Sequence, residues 1–500
     1  MYSVCAGHGC STPEREGIMK TDNVKVLGFA PLLAVVVGSI VGSGIFNSPA
    51  DLARVANPGW IVVAWAITGL GMYSLARIFQ YLARRRPDLE GGIYSYARAA
   101  AGEFAGFNSA YGYWWSSLFT NIAYFFVVSK VLGLYVPLLA KSKWAVFIFS
   151  SLMLWGYVAL IGSGLKMAGM INVVITALKL VPLLVVAMAA IAWFQPALMG
   201  DPFARILASS GAPAGAWQQV SAGFGVMVFA FMGIEGAVVI SAKAKRATDV
   251  GRATGIGFLI TLAIYLLVST LAGGVIPAAV IVQVPSPLGA VLGEILGGFG
   301  RRFLDFGFIF SVLGALLSWL LLTAETPSSA AIGSGSFPHA FARTSTRAVP
   351  IFSLAVSAWV TQALLTLLCL FSRSADIAAP GNAPLLQNLY FGAISISVVC
   401  ALVPYLFSAL LGARLARKEK ERAPLIWAGL ALALFAWMFA VMAVYTAAAL
   451  VIYASGAPLR LWVHRERRQP LPRGEILFYA LLLTLSVVVL ILVARGKIRF

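Results

Sequence analysis

Charged residues are scarce in this 500-residue chain: only 11% of the residues are Asp, Glu, Lys or Arg, whereas 60% are hydrophobic. Soluble domains carry roughly 25% charged residues, so this composition excludes a water-soluble globular protein. The 37 Lys and Arg outnumber the 18 Asp and Glu, which gives a net charge of +19. Because these charges form short clusters between apolar runs, not one continuous face, we attribute the excess to membrane topology and predict no nucleic-acid partner.

Cysteine and histidine are also rare, with four and three residues. Four cysteines cannot form a disulfide framework, and the segment CAGHGC at 5–10 lacks a fourth metal ligand at the usual spacing. Cys369 and Cys400 lie in apolar runs, while His339 and His464 lie in hydrophilic stretches. Motifs such as HExxH and GxxxxGK[ST] are missing. We therefore predict no cofactor, no metal and no enzymatic activity.

A cleavable signal peptide is not predicted, because the first 25 residues are polar and contain no apolar core. We expect residues 1–25 to form a cytoplasmic tail, with either Met1 or Met19 as the true start. Apolar runs near the ~20 residues that span a bilayer then follow. They lie at 26–56, 59–81, 104–137, 143–163, 168–195, 218–242, 253–276, 303–324, 350–371, 388–411, 425–463 and 475–494.

The run at 425–463 is too long for one helix, so we divide it near Met442 into an antiparallel pair and predict twelve or thirteen membrane helices. With the N-terminus inside, the predicted cytoplasmic loops contain more Lys and Arg than the outer loops, as the positive-inside rule requires. We predict a multi-pass protein of the cell membrane. In a bacterium, we expect this to be the inner membrane.

Two of the predicted spans contain glycine at matching places, five helices apart. The first reads VVVGSIVGSGIFNSP, and the sixth reads VFAFMGIEGAVV. Such interruptions expose backbone polar groups, which in lipid is tolerated only where they face a ligand or a watery cavity. Paired interruptions in two halves indicate a secondary transporter with broken helices. The alternative is that these glycines only let helices pack closely.

The two interruptions offer complementary groups. Backbone amides at Gly42, Ser43 and Gly44, at the start of a half-helix, suit a carboxylate. Free carbonyls around Ala230, Phe231 and Gly233 suit an ammonium group. Together they predict a receptor for the head group of an α-amino acid.

Two charged residues lie at membrane depth near these interruptions. Glu235 is predicted to sense a basic substrate or to take a proton during gating, with a structural pairing to Lys130 or Lys179 as the alternative. Lys179 is predicted to occupy the place where other carriers bind Na⁺.

Polar and aromatic side chains complete the predicted site. Trp319 and Phe229 could stack on a guanidinium or an ammonium group. Ser116, Ser117 and Asn121, on one face of the third span, could bind the polar end of a substrate side chain.

Several segments resemble one known family. GSIVGSGIF, GGIYSYARAAAGEFAGFNSAYGYW, FMGIEGAVV and LVPYLFSAL are similar to basic amino acid/polyamine antiporters of the amino acid–polyamine–organocation superfamily, and most similar to arginine/ornithine antiporters. The resemblance implies an all-α, LeuT-like five-plus-five inverted repeat. The repeats are expected at 26–195 and 218–411, with C-terminal helices at 425–500.

The resemblance also implies roles for individual residues. Ser43 and Gly44 are expected to hold the substrate carboxylate, and Ile40, Phe229 and Met232 to offer carbonyls to its amino group. Ser116, Ser117 and Asn121 are expected to meet the guanidinium, Trp319 to stack on it, and Glu235 and Lys179 to serve gating and coupling. Phe229 replaces a Trp of arginine/agmatine relatives, and AETPSSAAIGSGSFP lacks the Lys-Asp pair of the family's AAKDGLFP.

We therefore predict a sodium-independent exchanger of arginine and ornithine that works by alternating access. The alternatives are a uniporter or proton-coupled carrier of lysine, histidine or polyamines, and a nontransporting amino acid sensor. The sequence leaves open whether two copies form a homodimer.

Overall fold

The computed structural model describes residues 28–89, 93–163, 165–204, 206–207, 213–236, 245–333, 335–345, 349–371 and 383–495. Nearly all of these residues are helical, and ten of the described helices are long and apolar enough to cross a membrane. The prediction of an all-α integral membrane protein is confirmed. The predicted tail, 1–25, lies outside the described residues.

The first half of the chain is a series of apolar helices. In chain order they are α1 (Phe29–Ile40), α2 (Ser43–Ala53), α3 (Pro58–Arg85), α4 (Ile93–Leu132), α5 (Pro137–Lys141), α6 (Lys143–Gly162) and α7 (Leu165–Ala192). Proline at the first position of α3 needs no hydrogen-bond acceptor, and Arg84 and Arg85 in its last turn favour the negative end of the helix dipole. Two short strands follow, β1 (Ile206–Leu207) and β2 (Pro213–Ala214), which pair antiparallel.

The second half continues in the same way. Its helices are α8 (Ala216–Ala222), α9 (Phe224–Phe231), α10 (Ala247–Leu271), α11 (Ala278–Ile281), α12 (Pro287–Gly333), α13 (Ile351–Phe371), α14 (Ala383–Lys418), α15 (Arg422–Val441), α16 (Ala443–Ala454), α17 (Ala457–Glu466) and α18 (Arg473–Ala494). The predicted division near Met442 is confirmed, because α15 ends one residue before it and α16 begins one residue after it.

Two helices extend well beyond their predicted spans. The span expected at 104–137 begins at Ile93 and bends at Gly102, where φ is +85°. The span expected at 303–324 belongs to α12, which bends at Gly297 with a φ of +64°. Hydropathy marks only the most apolar part of a helix, so polar helical ends beyond a glycine bend escape it.

Helices α4 and α14 form the centre of the bundle and run antiparallel. Ser116 of α4 bonds Ser397 of α14, while Arg414, near the other end of α14, donates to the carbonyl of Ala100. Both helices are buried over most of their length. Helices α9 and α12 pack against this pair, and α2 packs on α9 and α12, so the pair forms one wall of the region where the broken helices meet.

Candidate functional site

The first break separates α1 from α2. Helix α1 ends at Ile40, Val41 and Gly42 are non-helical, and α2 begins at Ser43. No side chain caps the start of α2. The first N–H groups of a helix have no partner within it, and together with the helix dipole they attract negative charge. The predicted break is therefore confirmed, and it leaves amide donors at Ser43 and Gly44.

The second break follows α9. This helix ends at Phe231, Met232 is extended, and Gly233 has a φ of +103°. A β-carbon at Gly233 would lie 2.6 Å from the carbonyl oxygen of Ser39, so both the backbone angle and the space require glycine. The Ser39 hydroxyl donates to the Gly233 carbonyl at 2.8 Å. The end of α1 is thus fastened to the second break.

The two breaks also meet on their other sides. A β-carbon at Gly44 would lie 3.1 Å from Cα of Ala230 and 3.4 Å from the ring of Phe229. The first turn of α2 therefore packs directly on the last turn of α9. The break that begins α2 and the break that ends α9 therefore lie side by side.

Several of the carbonyls predicted to bind an amino group already accept hydrogen bonds. Ile40 accepts from the Tyr265 hydroxyl at 2.9 Å, Phe229 accepts from the Met232 amide at 3.1 Å, and Phe231 accepts from Ile234 at 3.2 Å. The expectation that the carbonyl of Phe231 is unpaired is wrong, because the chain turns back on itself after α9. Each oxygen retains one lone pair for a ligand.

The three polar residues predicted on α4 are all fully buried. The amide nitrogen of Asn121 donates to Thr323 at 2.9 Å, and its oxygen has no partner within the described structure. Ser116 pairs with Ser397, and the Ser117 hydroxyl donates to the carbonyl of Trp114. Asn121 therefore offers a buried acceptor, whereas the hydroxyl proton of Ser117 is already donated to a carbonyl of its own helix.

The two predicted aromatic residues, Trp319 and Phe229, lie next to tyrosines that the sequence analysis did not single out. Trp319 lies 6.4 Å from Tyr113, and Phe229 lies 6.4 Å from both Tyr124 and Tyr390, measured between ring centroids. The hydroxyls of Ser43 and Tyr390 lie near each other, yet neither completes a hydrogen bond among the described residues. Tyr390 thus adds a polar group at the first break.

Glu235 is 1% exposed and is held by three donors. The hydroxyl of Tyr113 on α4 donates to Oε1, while the hydroxyl of Tyr405 on α14 and the amide of Gly233 donate to Oε2 at 2.8 and 3.3 Å. We call Glu235, Tyr113 and Tyr405 the Glu235 cluster. It ties the second break to both central helices.

Neither lysine pairs with Glu235, so the alternative of a structural ion pair is wrong. The ammonium of Lys179 on α7 donates to the carbonyl of Gly38 near the end of α1. Lys130 on α4 donates to Asn47 and Gln387, far along the helix from Tyr113. Sequence spacing could not separate these options, because each partner lies on a different helix.

The sequence analysis missed a second buried acid, Asp51 on α2, which is 0% exposed. Asp51 lies near the end of the predicted span at 26–56. An acid at the end of a span is expected to face water at the membrane surface, so its position gives no sign of burial. The sequence signal is NSPAD: Asn47 lies one turn before Asp51, so both project from one face of α2.

Two broken helices that meet beside a buried pair of central helices, with the start of a half-helix and a buried acceptor around them, define a secondary transporter. The comparisons with known proteins agree. A family model described as amino acid permease matches residues 27–494. The chain belongs to the amino acid permease family, which makes it a multi-pass membrane transporter and not an enzyme.

Relatives cover almost the whole chain. An arginine/ornithine antiporter of Pseudomonas aeruginosa is 34% identical over 475 residues, which are 92% of this chain and 96% of the relative. A putative arginine/ornithine antiporter of Escherichia coli is 32% identical over 472 residues, with 93% and 98% covered. An arginine/agmatine antiporter of Chlamydia pneumoniae is 31% identical over 497 residues, with 96% and 99% covered. The predicted family resemblance is confirmed.

Proposed function

We propose that the protein exchanges arginine for ornithine across the cell membrane by alternating access around one central site. The observation that carries the proposal is the contact between the two breaks, which brings amide donors and carbonyl acceptors to one place. The names of the relatives in Pseudomonas aeruginosa and Escherichia coli support this pair of substrates. Arginine and ornithine both carry +1 at neutral pH, so one-for-one exchange moves no net charge.

The head group of the substrate is assigned to the two breaks. The amides of Ser43 and Gly44 bind the carboxylate, and the carbonyls of Ile40, Phe229 and Met232 receive the amino group. Agmatine has no carboxylate, so a carboxylate site at the amides that begin α2 favours amino acids over agmatine. This argument separates the proposal from the arginine/agmatine exchange named for the relative in Chlamydia pneumoniae.

The side chain of the substrate is assigned to α4 and α12. The unpartnered oxygen of Asn121 accepts from the guanidinium, Ser116 and Ser117 line the same face, and Trp319 stacks on the planar group. Phe229 and Trp319 close over the ligand in the occluded state. Glu235 serves gating, since it links the second break to both central helices.

Lys179 supports sodium-independent exchange. Its ammonium donates to the carbonyl of Gly38, next to the unwound end of α1. A fixed cation at these carbonyls takes the place that a bound Na⁺ needs. We also propose that residues 26–195 and 218–411 are inverted repeats followed by C-terminal helices at 425–500, and that the tail at 1–25 is cytoplasmic. The homodimer stays a prediction.

Liposomes that contain the purified protein test the proposal. We expect labelled arginine to enter liposomes preloaded with ornithine much faster than empty ones, and equally fast when choline replaces Na⁺. Agmatine as the internal substrate is expected to support little uptake. Equal entry into loaded and empty liposomes would reject obligatory exchange, and binding without any uptake would favour a sensor.

A further inference from the structure

Four buried polar residues lie at one end of the central helices, about 25 Å along α4 from Tyr113 of the Glu235 cluster. We call them the Asp51 network: Asp51 and Asn47 on α2, Lys130 on α4 and Gln387 on α14. Their exposed fractions range from 0% to 6%. Burying two opposite charges away from water is costly unless each finds partners, so their contacts need an explanation.

The two amide side chains bridge the two charges. Asn47 and Gln387 both donate to Oδ1 of Asp51, at 2.8 and 2.7 Å. Lys130 Nζ in turn donates to the amide oxygens of the same two residues, at 3.0 and 2.6 Å. Within the described part of the chain, Lys130 forms no direct ion pair with Asp51.

The network is left incomplete at one atom. Oδ2 of Asp51 is buried and has no hydrogen-bond partner among the described residues. Lys130 has three protons and two amide acceptors, so it has a donor to spare as well. A network that served only to hold the helices together would be expected to use this oxygen. The carboxylate instead keeps room for a cationic donor.

The network lies on the same helices as the central site, about one to three helical turns away. Asp51 comes eight residues after Ser43 in α2, which is about 12 Å along a helix, and Lys130 comes nine residues after Asn121 in α4, about 14 Å. Tyr390, one turn from Gln387 on α14, lies 6.4 Å from the ring of Phe229 and within electrostatic reach of Asp51. It spans the gap between network and site.

The charge distribution places the network on the outer side. Helix α2 leads into α3, and α3 ends in the run Arg84, Arg85 and Arg86. Such a cluster marks a cytoplasmic loop by the positive-inside rule. The end of α2 that carries Asp51 therefore faces the outside, while the Glu235 cluster lies toward the cytoplasm.

We propose that Asp51 is an outer binding position for the cationic side chain of a basic amino acid, and that Lys130, held by the two bridging amides, balances the charge of Asp51 while the outer path is closed. The incoming guanidinium or ammonium group donates directly to Oδ2, which releases Lys130 from the bridging amides and allows α2, α4 and α14 to part. The inference rests on the proposed exchange of basic amino acids, and it adds a second, outer position to the central site.

Sided kinetics test this inference. Arginine KM is measured at the outer face in intact cells and at the cytoplasmic face in inside-out vesicles. We expect Asp51→Asn to raise the outer KM about tenfold or more, because it removes a charged acceptor, and to leave the cytoplasmic KM unchanged. Lys130→Met removes the competing cation, so we expect it to lower the outer KM by about threefold or more.

A second aspartate provides a matched control. Asp305 on α12 is also 0% exposed and accepts from Tyr135 at 2.7 Å, but it lies on neither α2, α4 nor α14. We expect Asp305→Asn to leave both KM values unchanged. Should Asp51→Asn fail to fold, which its melting temperature in detergent would reveal, Lys130→Met decides the question, because it keeps the carboxylate.

Specific results would overturn the inference. One is an equal change of KM at both faces in Asp51→Asn, and another is a rise of the outer KM in Lys130→Met, since either indicates a purely structural network. If wild-type protein shows no arginine–ornithine exchange, the proposed function itself fails. If wild type exchanges and the variants keep its outer KM, only the outer position is rejected.

Discussion

The Glu235 cluster and the Asp51 network lie at different levels along the same two helices, α4 and α14, yet they satisfy a buried carboxylate in different ways. Glu235 accepts from two tyrosine hydroxyls and a backbone amide, all of them neutral. Asp51 accepts from two amide side chains, and the oxygens of these two amides accept from Lys130. Glu235 therefore has no cationic residue in its cluster, whereas the Asp51 network contains the cation of Lys130.

This difference gives the transport path two unlike ends. A cationic substrate that approaches Glu235 meets no competing cation among the described residues, so the attraction is direct. A substrate that approaches Asp51 has to replace a lysine that is already hydrogen-bonded in place. We infer that the two ends respond differently to substrate charge, which the following substitutions test.

Gly233→Ala is expected to have the largest effect, because Gly233 lies in the second break and its amide donates to Glu235. The substitution imposes a φ of +103° on a residue with a side chain and brings its β-carbon within 2.6 Å of the Ser39 carbonyl. Strain of this kind costs about 1–3 kcal/mol before the clash is counted. We expect at least about 100-fold slower exchange in liposomes.

Gly156→Ala is the matched control for that substitution. Gly156 lies in α6, and no atom lies within 4 Å of the place where its β-carbon would be. Alanine is a better helix former than glycine, so we expect stability to stay equal or rise slightly and exchange to remain at the wild-type rate. Wild-type exchange by Gly233→Ala would show that the second break is not part of the site.

Glu235→Gln is expected to slow exchange about thirtyfold. The amide keeps the shape of the side chain, but one of its two ends donates where both carboxylate oxygens accept. Tyr113 and Tyr405 donate to different oxygens, so at one of them the hydrogen bond has to reverse, with the amide donating to the hydroxyl, and the negative charge is lost. The maximal exchange rate should fall more than the affinity for arginine changes. Glu294→Gln, the same change at an exposed position of α12, should have no effect.

The sequence predicted the breaks well, for a local physical reason. Glycine and serine within an apolar span weaken the helix at that place, so VGSGIF and FMGIEG marked the interruptions before Ser43 and around Gly233. The burial of Glu235, Lys179 and Asn121 followed from the same reading, since each lies within an apolar run. Helix ends were less predictable, as α4 and α12 show, because polar helical turns lack a hydropathy signal.

Partners were not predictable, because they come from distant parts of the chain. Tyr113 and Tyr405 are 122 and 170 residues away from Glu235. No periodicity relates them, and the alternative pairing of Glu235 with Lys130 or Lys179 is wrong. Asp51 was missed for the same reason: Lys130 and Gln387, which explain its burial, lie on two other helices. A single sequence gives the positions of polar residues within spans but not which spans pack together.

A pair of tyrosines on α14 offers the finest test of the contrast between the two ends. Tyr405→Phe removes the donor to Oε2 of Glu235 at 2.8 Å, so we expect about tenfold slower exchange. Tyr390→Phe makes the same chemical change on the same helix toward the outer end, where the hydroxyl completes no hydrogen bond among the described residues. Removing a buried hydroxyl without a partner relieves a desolvation cost, so exchange should stay within about twofold of wild type and thermal stability should not fall. Equal slowing by both substitutions would mean that the two ends depend on tyrosine hydroxyls alike, and the distinction between a cluster with neutral donors and a network with its own cation would lose its basis.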